Sequence, residues 1–228
     1  MSIFKNFKDP MLELIEDKSQ GNLKFPQEKT GGILNNYNRG DFIVVGGRKT
    51  SGKSSFILNN YVTSPILQKI SAKKRGKPFD VKVIYINTRK NAKGTIERMV
   101  VNYLSQKNGG TKLTIPSIYG YKGMHVKMSV AQAKKVLSST LNTFDSLSEK
   151  GILSTYSGRR STYEIDNLIR DSMEEFGKFD EEEGIFVYDD EYKNLIPIIA
   201  IDDVSGIFNE GSTNSFRNES AHELAITL

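Results

Sequence analysis

The sequence predicts an α/β fold, with a mainly parallel, twisted sheet flanked by helices. Three observations predict it. The runs Asp41-Phe42-Ile43-Val44-Val45, Lys82-Val83-Ile84-Tyr85-Ile86 and Ile198-Ile199-Ala200-Ile201 have the length and apolar continuity of strands covered on both faces. Between them, apolar residues recur at helical spacing, as with Ile96, Met99, Val100 and Leu104. Strands alternating with helices in this way build parallel sheets, because the return crossover of each pair is a helix.

In chain order, residues 1–20 hold a short helical pattern in which Met11, Leu12, Leu14 and Ile15 crowd one side. Asp9 stands as its N-cap and Pro10 at its first position. Gly21-Asn22 stops that helix, and residues 21–40 are loop-like, so residues 1–30 are expected to form an arm or linker helix and residues 31–228 the main domain. A strand at 41–45 leads through a Gly-rich turn into a helix over 53–68. A basic polar insertion is expected at 69–80, a strand at 82–86 and a helix at 93–107. After a Gly- and Pro-marked loop at 108–123 come a helix at 130–147 and a strand at 152–156. Ser161 and Glu164 have capping-box spacing and open a helix to about residue 176. Residues 180–183 read as a solvated acidic loop, and the strand at 196–201 ends in Asp202-Asp203.

Composition narrows the chemistry. With no Cys among 228 residues, disulfide scaffolds, thiol catalysis and Cys-based zinc sites are excluded. The two histidines, His125 and His222, are too few and too far apart for a metal cluster and receive no role. No apolar run approaches the ~20 residues of a membrane span. The N-terminal segment carries charges where a signal peptide has its apolar region. The expected setting is soluble and reducing: the cytoplasm, or a host's cytoplasm for a viral chain. A net charge of +5 suits a polyanionic partner without requiring one.

The chemistry-bearing motif is Gly47-Arg48-Lys49-Thr50-Ser51-Gly52-Lys53-Ser54, which fits G-x-x-x-x-G-K-[ST] between an expected strand and an expected helix. Glycines let the backbone curl so that successive N–H groups face one anion, and the helix N-terminus adds its own unpaired N–H groups. Such a P-loop binds a nucleoside triphosphate, with Lys53 reaching the β- and γ-phosphates and the Ser54 hydroxyl ligating Mg²⁺. Ser55 and Thr50 are expected to add hydroxyl or amide contacts.

The second constellation is the strand ending in Asp202-Asp203. It fits the Walker B arrangement, in which that strand lies beside the P-loop strand and its terminal Asp holds Mg²⁺, directly or through water. Asp202 is the expected metal partner. Asp203 either orients the attacking water or faces solvent.

Together these blocks carry a family resemblance. Asn38-Arg39-Gly40-Asp41-Phe42-Ile43-Val44-Val45-Gly46 with the P-loop and Ser55-Phe56 resembles the RecA-type ATPase core of DnaB-like replicative helicases. Val83-Ile84-Tyr85-Ile86-Asn87-Thr88-Arg89-Lys90, followed by Ile96-Glu97-Arg98-Met99, is similar to that family's second strand and following helix. The resemblance implies a RecA-like sheet, ATP and Mg²⁺ as cofactors, and catalysis through Lys53, Asp202 and Asp203. It further implies a homo-oligomeric ring with nucleotide between subunits and single-stranded DNA as partner. Another RecA-type ATPase, for recombination, repair or DNA packaging, and a catalytically weak nucleotide-binding structural subunit stand as alternatives.

Two departures from the family accompany the match. Its second strand ends in a glutamate that activates water, whereas this chain has Thr88-Arg89 there and no carboxylate between Asp80 and Glu97. A guanidinium favours an anion but accepts no proton. The family also continues past the point corresponding to Leu228, so an incomplete C-terminal sheet is expected, completed by missing sequence or by a second chain. The arm resembles, in position only, the family's linker helix. Lys69, Lys73, Lys74, Arg75 and Lys77 are either nucleic-acid contacts or a solvated loop, and Arg159-Arg160 is either a phosphate contact or, the preferred reading, a solvated turn.

Overall fold

A computed structural model describes residues 40, 42–48, 50–76, 79–107, 114, 116 and 129–208. The expected arm at 1–30, nearly all of the loop at 108–123, Lys49, Lys77, His125 and His222 lie outside the described residues. The chain divides into two units, Met1–Val44 and Val45–Leu228.

In the second unit, α1 (Lys53–Ile57) passes through a π-helical segment (Leu58–Thr63) into α2 (Ser64–Lys74), then β1 (Val81–Asn87) and α3 (Ala92–Lys107). There follow α4 (Val130–Glu149), β2 (Leu153–Ser157), β3 (Arg160–Ser161) and α5 (Thr162–Met173), which tightens into a 3₁₀ turn at Glu174–Phe176. Then come β4 (Gly177–Asp180), β5 (Ile185–Tyr188), β6 (Ile196–Asp202), a 3₁₀ turn at Val204–Gly206 and β7 (Ile207–Phe208). The result is a mixed α/β fold around a small parallel sheet of order β2-β1-β6.

All seven residues of β1 are buried, as its apolar run requires of a central strand. The register sets Asn87 level with Ser157 on one side and with Asp202 on the other, so three strand ends meet at one edge. Against the sheet, Ile165, Ile169 and Met173 form the inward stripe of α5, packing with Ile84, Ile86, Phe176, Leu195 and Ile207. The predicted capping box starts α5: Ser161 Oγ accepts from the Glu164 amide at 3.1 Å, and Glu164 Oε2 accepts from the Ser161 amide at 2.7 Å. That backbone donor holds the Glu164 carboxyl below its usual range.

Several expectations are corrected. Residues 42–48 form no strand, and Phe42 and Val44 are 65% and 77% exposed. A short apolar run becomes a strand only where it pairs with another, and among the described residues β6 is an edge strand paired with β1 alone. The acidic-ended strand, β6, pairs with β1. Residues 69–74 continue the first long helix rather than forming a loop, and Lys69 pairs with Asp80 at 3.0 Å. Arg160 lies in a short strand paired with β7 and reaches Glu164, so it is no solvated turn. The β4–β5 hairpin has no counterpart in the sequence reading, because three of its four turn residues, Glu181, Glu182 and Glu183, belong to the acidic patch. Among the described residues, no helix is long and apolar enough to cross a membrane.

One charge is buried within β1. Lys82 donates to the Gly151 carbonyl at 2.6 Å, with Glu175 Oε1 at 3.6 Å and the Phe176 ring beneath it. Burial pushes its pKa below the ordinary 10.5, and Glu175 opposes that shift only in part. Between the lowered folded value and 10.5, the unfolded chain keeps a proton that the folded chain has released. Stability therefore rises with pH across that window, by at most about 1.4 kcal/mol per pH unit. Urea unfolding from neutral to alkaline pH should show this rise in the native chain, and Lys82→Met should flatten it. Equal slopes would contradict the assignment.

Candidate functional site

The Gly-rich segment precedes α1 and turns sharply. The Ser51 amide donates to the Arg48 carbonyl at 3.2 Å, and two residues take left-handed conformations, Thr50 at φ 67° and Gly52 at φ 89°. Gly52 is suited to that region, whereas a β-branched Thr50 is disfavoured there. At Gly47 a Cβ would stand 2.7 Å from Ser51 Oγ, so any larger residue would require the Ser51 hydroxyl to turn away. Lys53 Nζ donates back to the carbonyls of Gly47 at 2.7 Å and Arg48 at 2.9 Å, which leaves the loop wrapped around its own ammonium.

Ser54, in the first turn of α1, donates its hydroxyl to Asp202 Oδ1 at 2.9 Å across 148 residues of sequence. Asp202 is 4% exposed at the end of β6. A carboxylate this buried needs several donors to remain charged. Tyr85 supplies one, donating from its hydroxyl to Oδ2 at 3.1 Å, and Asn87 Nδ2 supplies another at 3.2 Å. Asn87 Nδ2 also donates to the Tyr85 hydroxyl at 3.0 Å, so the two side chains form one network beneath the carboxylate. Burial, and then the Asp202 charge, push the Tyr85 phenol up, which keeps it a donor.

The other end of Asn87 orders the adjacent turn, because its Oδ1 accepts the amides of Arg89 at 3.1 Å and Lys90 at 2.7 Å. The Thr88 amide donates to the Asp202 carbonyl at 2.9 Å and its hydroxyl to the Asp203 carbonyl, latching β1 to β6 past the sheet. Gly206 closes over Thr88, where a Cβ would lie 2.8 Å from the Thr88 carbonyl oxygen. Asp203 caps the 3₁₀ turn: Oδ1 accepts from the Ser205 amide at 2.8 Å and from the Ser205 hydroxyl. Its Oδ2 pairs with Arg89 Nε at 3.0 Å, and Arg89 also donates to Ser205 Oγ at 2.8 Å.

The structure thus joins Ser54 with Asp202, Lys53 with Gly47 and Arg48, and Arg89 with Asp203. Ser55 is exposed, and Lys49 lies outside the described residues. Tyr85, Asn87, Thr88 and Ser205 escaped the sequence reading. The signal for two of them was present: Tyr85 and Asn87 are the polar-tipped residues at alternate positions near the end of an apolar strand.

The donor set fits Mg²⁺, a hard cation that takes one or two protein oxygens and fills its octahedron with phosphate and water. Ser54 Oγ and Asp202 Oδ1 are two such oxygens, already converging. Among the described residues no group of three or more His, Asp or Glu could hold a metal ion. No family model, curated protein or solved structure matches the chain.

Tyr85→Phe removes one donor from a buried carboxylate without opening a cavity. A hydrogen bond to a charged group contributes about 1.5–3 kcal/mol, so the unfolding free energy should fall by that order in urea titrations. An unchanged value would show that Tyr85 does not support Asp202.

Proposed function

We propose that this chain is the ATP-binding motor domain of a DnaB-like replicative DNA helicase with a RecA-like core, working as a ring on single-stranded DNA. The observation that carries the reading is the 2.9 Å contact between Ser54 and Asp202, because it unites the P-loop and the acidic strand end at one point. When bound, Mg²⁺–ATP supplies the phosphoanhydride and the cation that screens its charge. The chain's own residues have separate tasks. The loop from Gly47 to Gly52 wraps phosphate oxygens, and Lys53 exchanges its two carbonyl partners for them. Ser54 and Asp202 offer oxygens to the cation, with Tyr85 and Asn87 holding Asp202 in place.

A second reading is favoured by one observation. Both oxygens of Asp203 already have donors, in Ser205 and Arg89, and Arg89 stands where the family has its water-activating glutamate. This points to a nucleotide-binding subunit with weak turnover. Another RecA-type ATPase, in recombination, repair or DNA packaging, shares the same site.

ATP binding and hydrolysis, measured with and without single-stranded DNA, separate these readings. The helicase reading expects DNA-stimulated turnover that falls ~100-fold or more in Lys53→Ala, which loses a charge aimed at the transferring phosphoryl group. Lys53-dependent binding without turnover selects the second reading. Absence of nucleotide binding contradicts both.

A further inference from the structure

The ion pair between Arg89 and Asp203 stands one residue beyond the carboxylate that touches Ser54, on strand ends in register through Asn87 and Asp202. We propose that Arg89 is the residue that distinguishes a nucleoside triphosphate from a diphosphate, by exchanging Asp203 for the terminal phosphate. This rests on the nucleotide-binding reading of the site.

Four observations carry it. First, Arg89 comes from the turn after β1 and not from the Gly-rich loop. That loop curls around its own Lys53 and has the shape to hold the phosphates that ATP and ADP share. A cation from a separate element, beside the cation-holding carboxylate, is placed to meet the phosphate that only ATP has. Second, the guanidinium uses one edge on its present partners. Nε and Nη2 face Asp203 and Ser205, while Nη1 makes no hydrogen bond among the described residues. A phosphate can take the remaining fork of donors before the first edge is released.

Third, the pair is weak enough to exchange. The Arg89 side chain is 55% exposed and that of Asp203 30%, and solvent-screened pairs contribute little. A terminal phosphate carries more charge than a carboxylate and offers bidentate geometry, so it outcompetes Asp203. Asp203 loses little on release, because Ser205 continues to donate to its other oxygen. Fourth, the turn is preset: Asn87 Oδ1 fixes the Arg89 and Lys90 amides, and Thr88 ties the turn to β6. Only the side chain has to move.

The test is the affinity of the chain for Mg²⁺–ATP and Mg²⁺–ADP by titration calorimetry, with thermal unfolding to verify folding. Variants are Arg89→Ala, Arg89→Lys, Asp203→Asn and Lys53→Ala. Arg89→Ala should weaken ATP roughly tenfold or more and leave ADP within about twofold, the scale of a lost charge-assisted hydrogen bond. Arg89→Lys should retain part of the preference, and Asp203→Asn, which removes the competitor, should tighten ATP. Equal losses for the two nucleotides, or none, in a folded Arg89→Ala overturn the inference while Lys53-dependent binding leaves the nucleotide reading intact. Native binding that Lys53→Ala does not reduce overturns both.

Discussion

The hydrogen bond from Ser54 to Asp202 is the constraint on which the rest of the site depends. It ties the first turn of a helix to the last residue of a strand far along the chain. It also explains why a carboxylate is tolerated at 4% exposure. Burying an ionised carboxylate is costly unless donors surround it, and Ser54, Tyr85 and Asn87 together supply them. Such a site is poised rather than finished. Its donors satisfy both Asp202 oxygens, and Oδ1 faces the Ser54 hydroxyl.

From Asp202 the order spreads along β1. The central strand is wholly buried and carries Tyr85 and Asn87 on alternate positions, so the strand that forms the core also supports the carboxylate. Asn87 then fixes the turn bearing Arg89, and Thr88 grips the segment after β6. Gly206 is required where that segment folds back over Thr88. A single network therefore connects the core, Asp202 and the Arg89–Asp203 pair.

Much of this was legible in the sequence, where local signals agree with one another. The Gly-Lys-Ser loop, the helix after it, the strands at β1, β2 and β6 and the Ser161–Glu164 box all follow from spacing and residue type. What was not legible depends on partners distant in the chain. The apolar run Phe42–Val45 resembles a buried strand, yet burial is decided by whether a sheet edge receives it. The β4–β5 hairpin was hidden because acidic residues occupy its turn. Likewise, Asp203 reads as available from sequence, and only the fold shows Arg89 and Ser205 using its oxygens.

The central claim is that Ser54 and Asp202 act as one cation-holding unit for a bound nucleotide. ATP affinity measured with and without Mg²⁺, for the native chain, Ser54→Ala, Asp202→Asn and the double variant, tests it most directly. The account predicts that Mg²⁺ tightens ATP binding in the native chain, that either single change removes most of that gain, and that the double variant loses no more than the worse single one. Such non-additivity marks residues that share one ligand. A Mg²⁺ gain that survives both substitutions, or losses that simply add, would contradict the account.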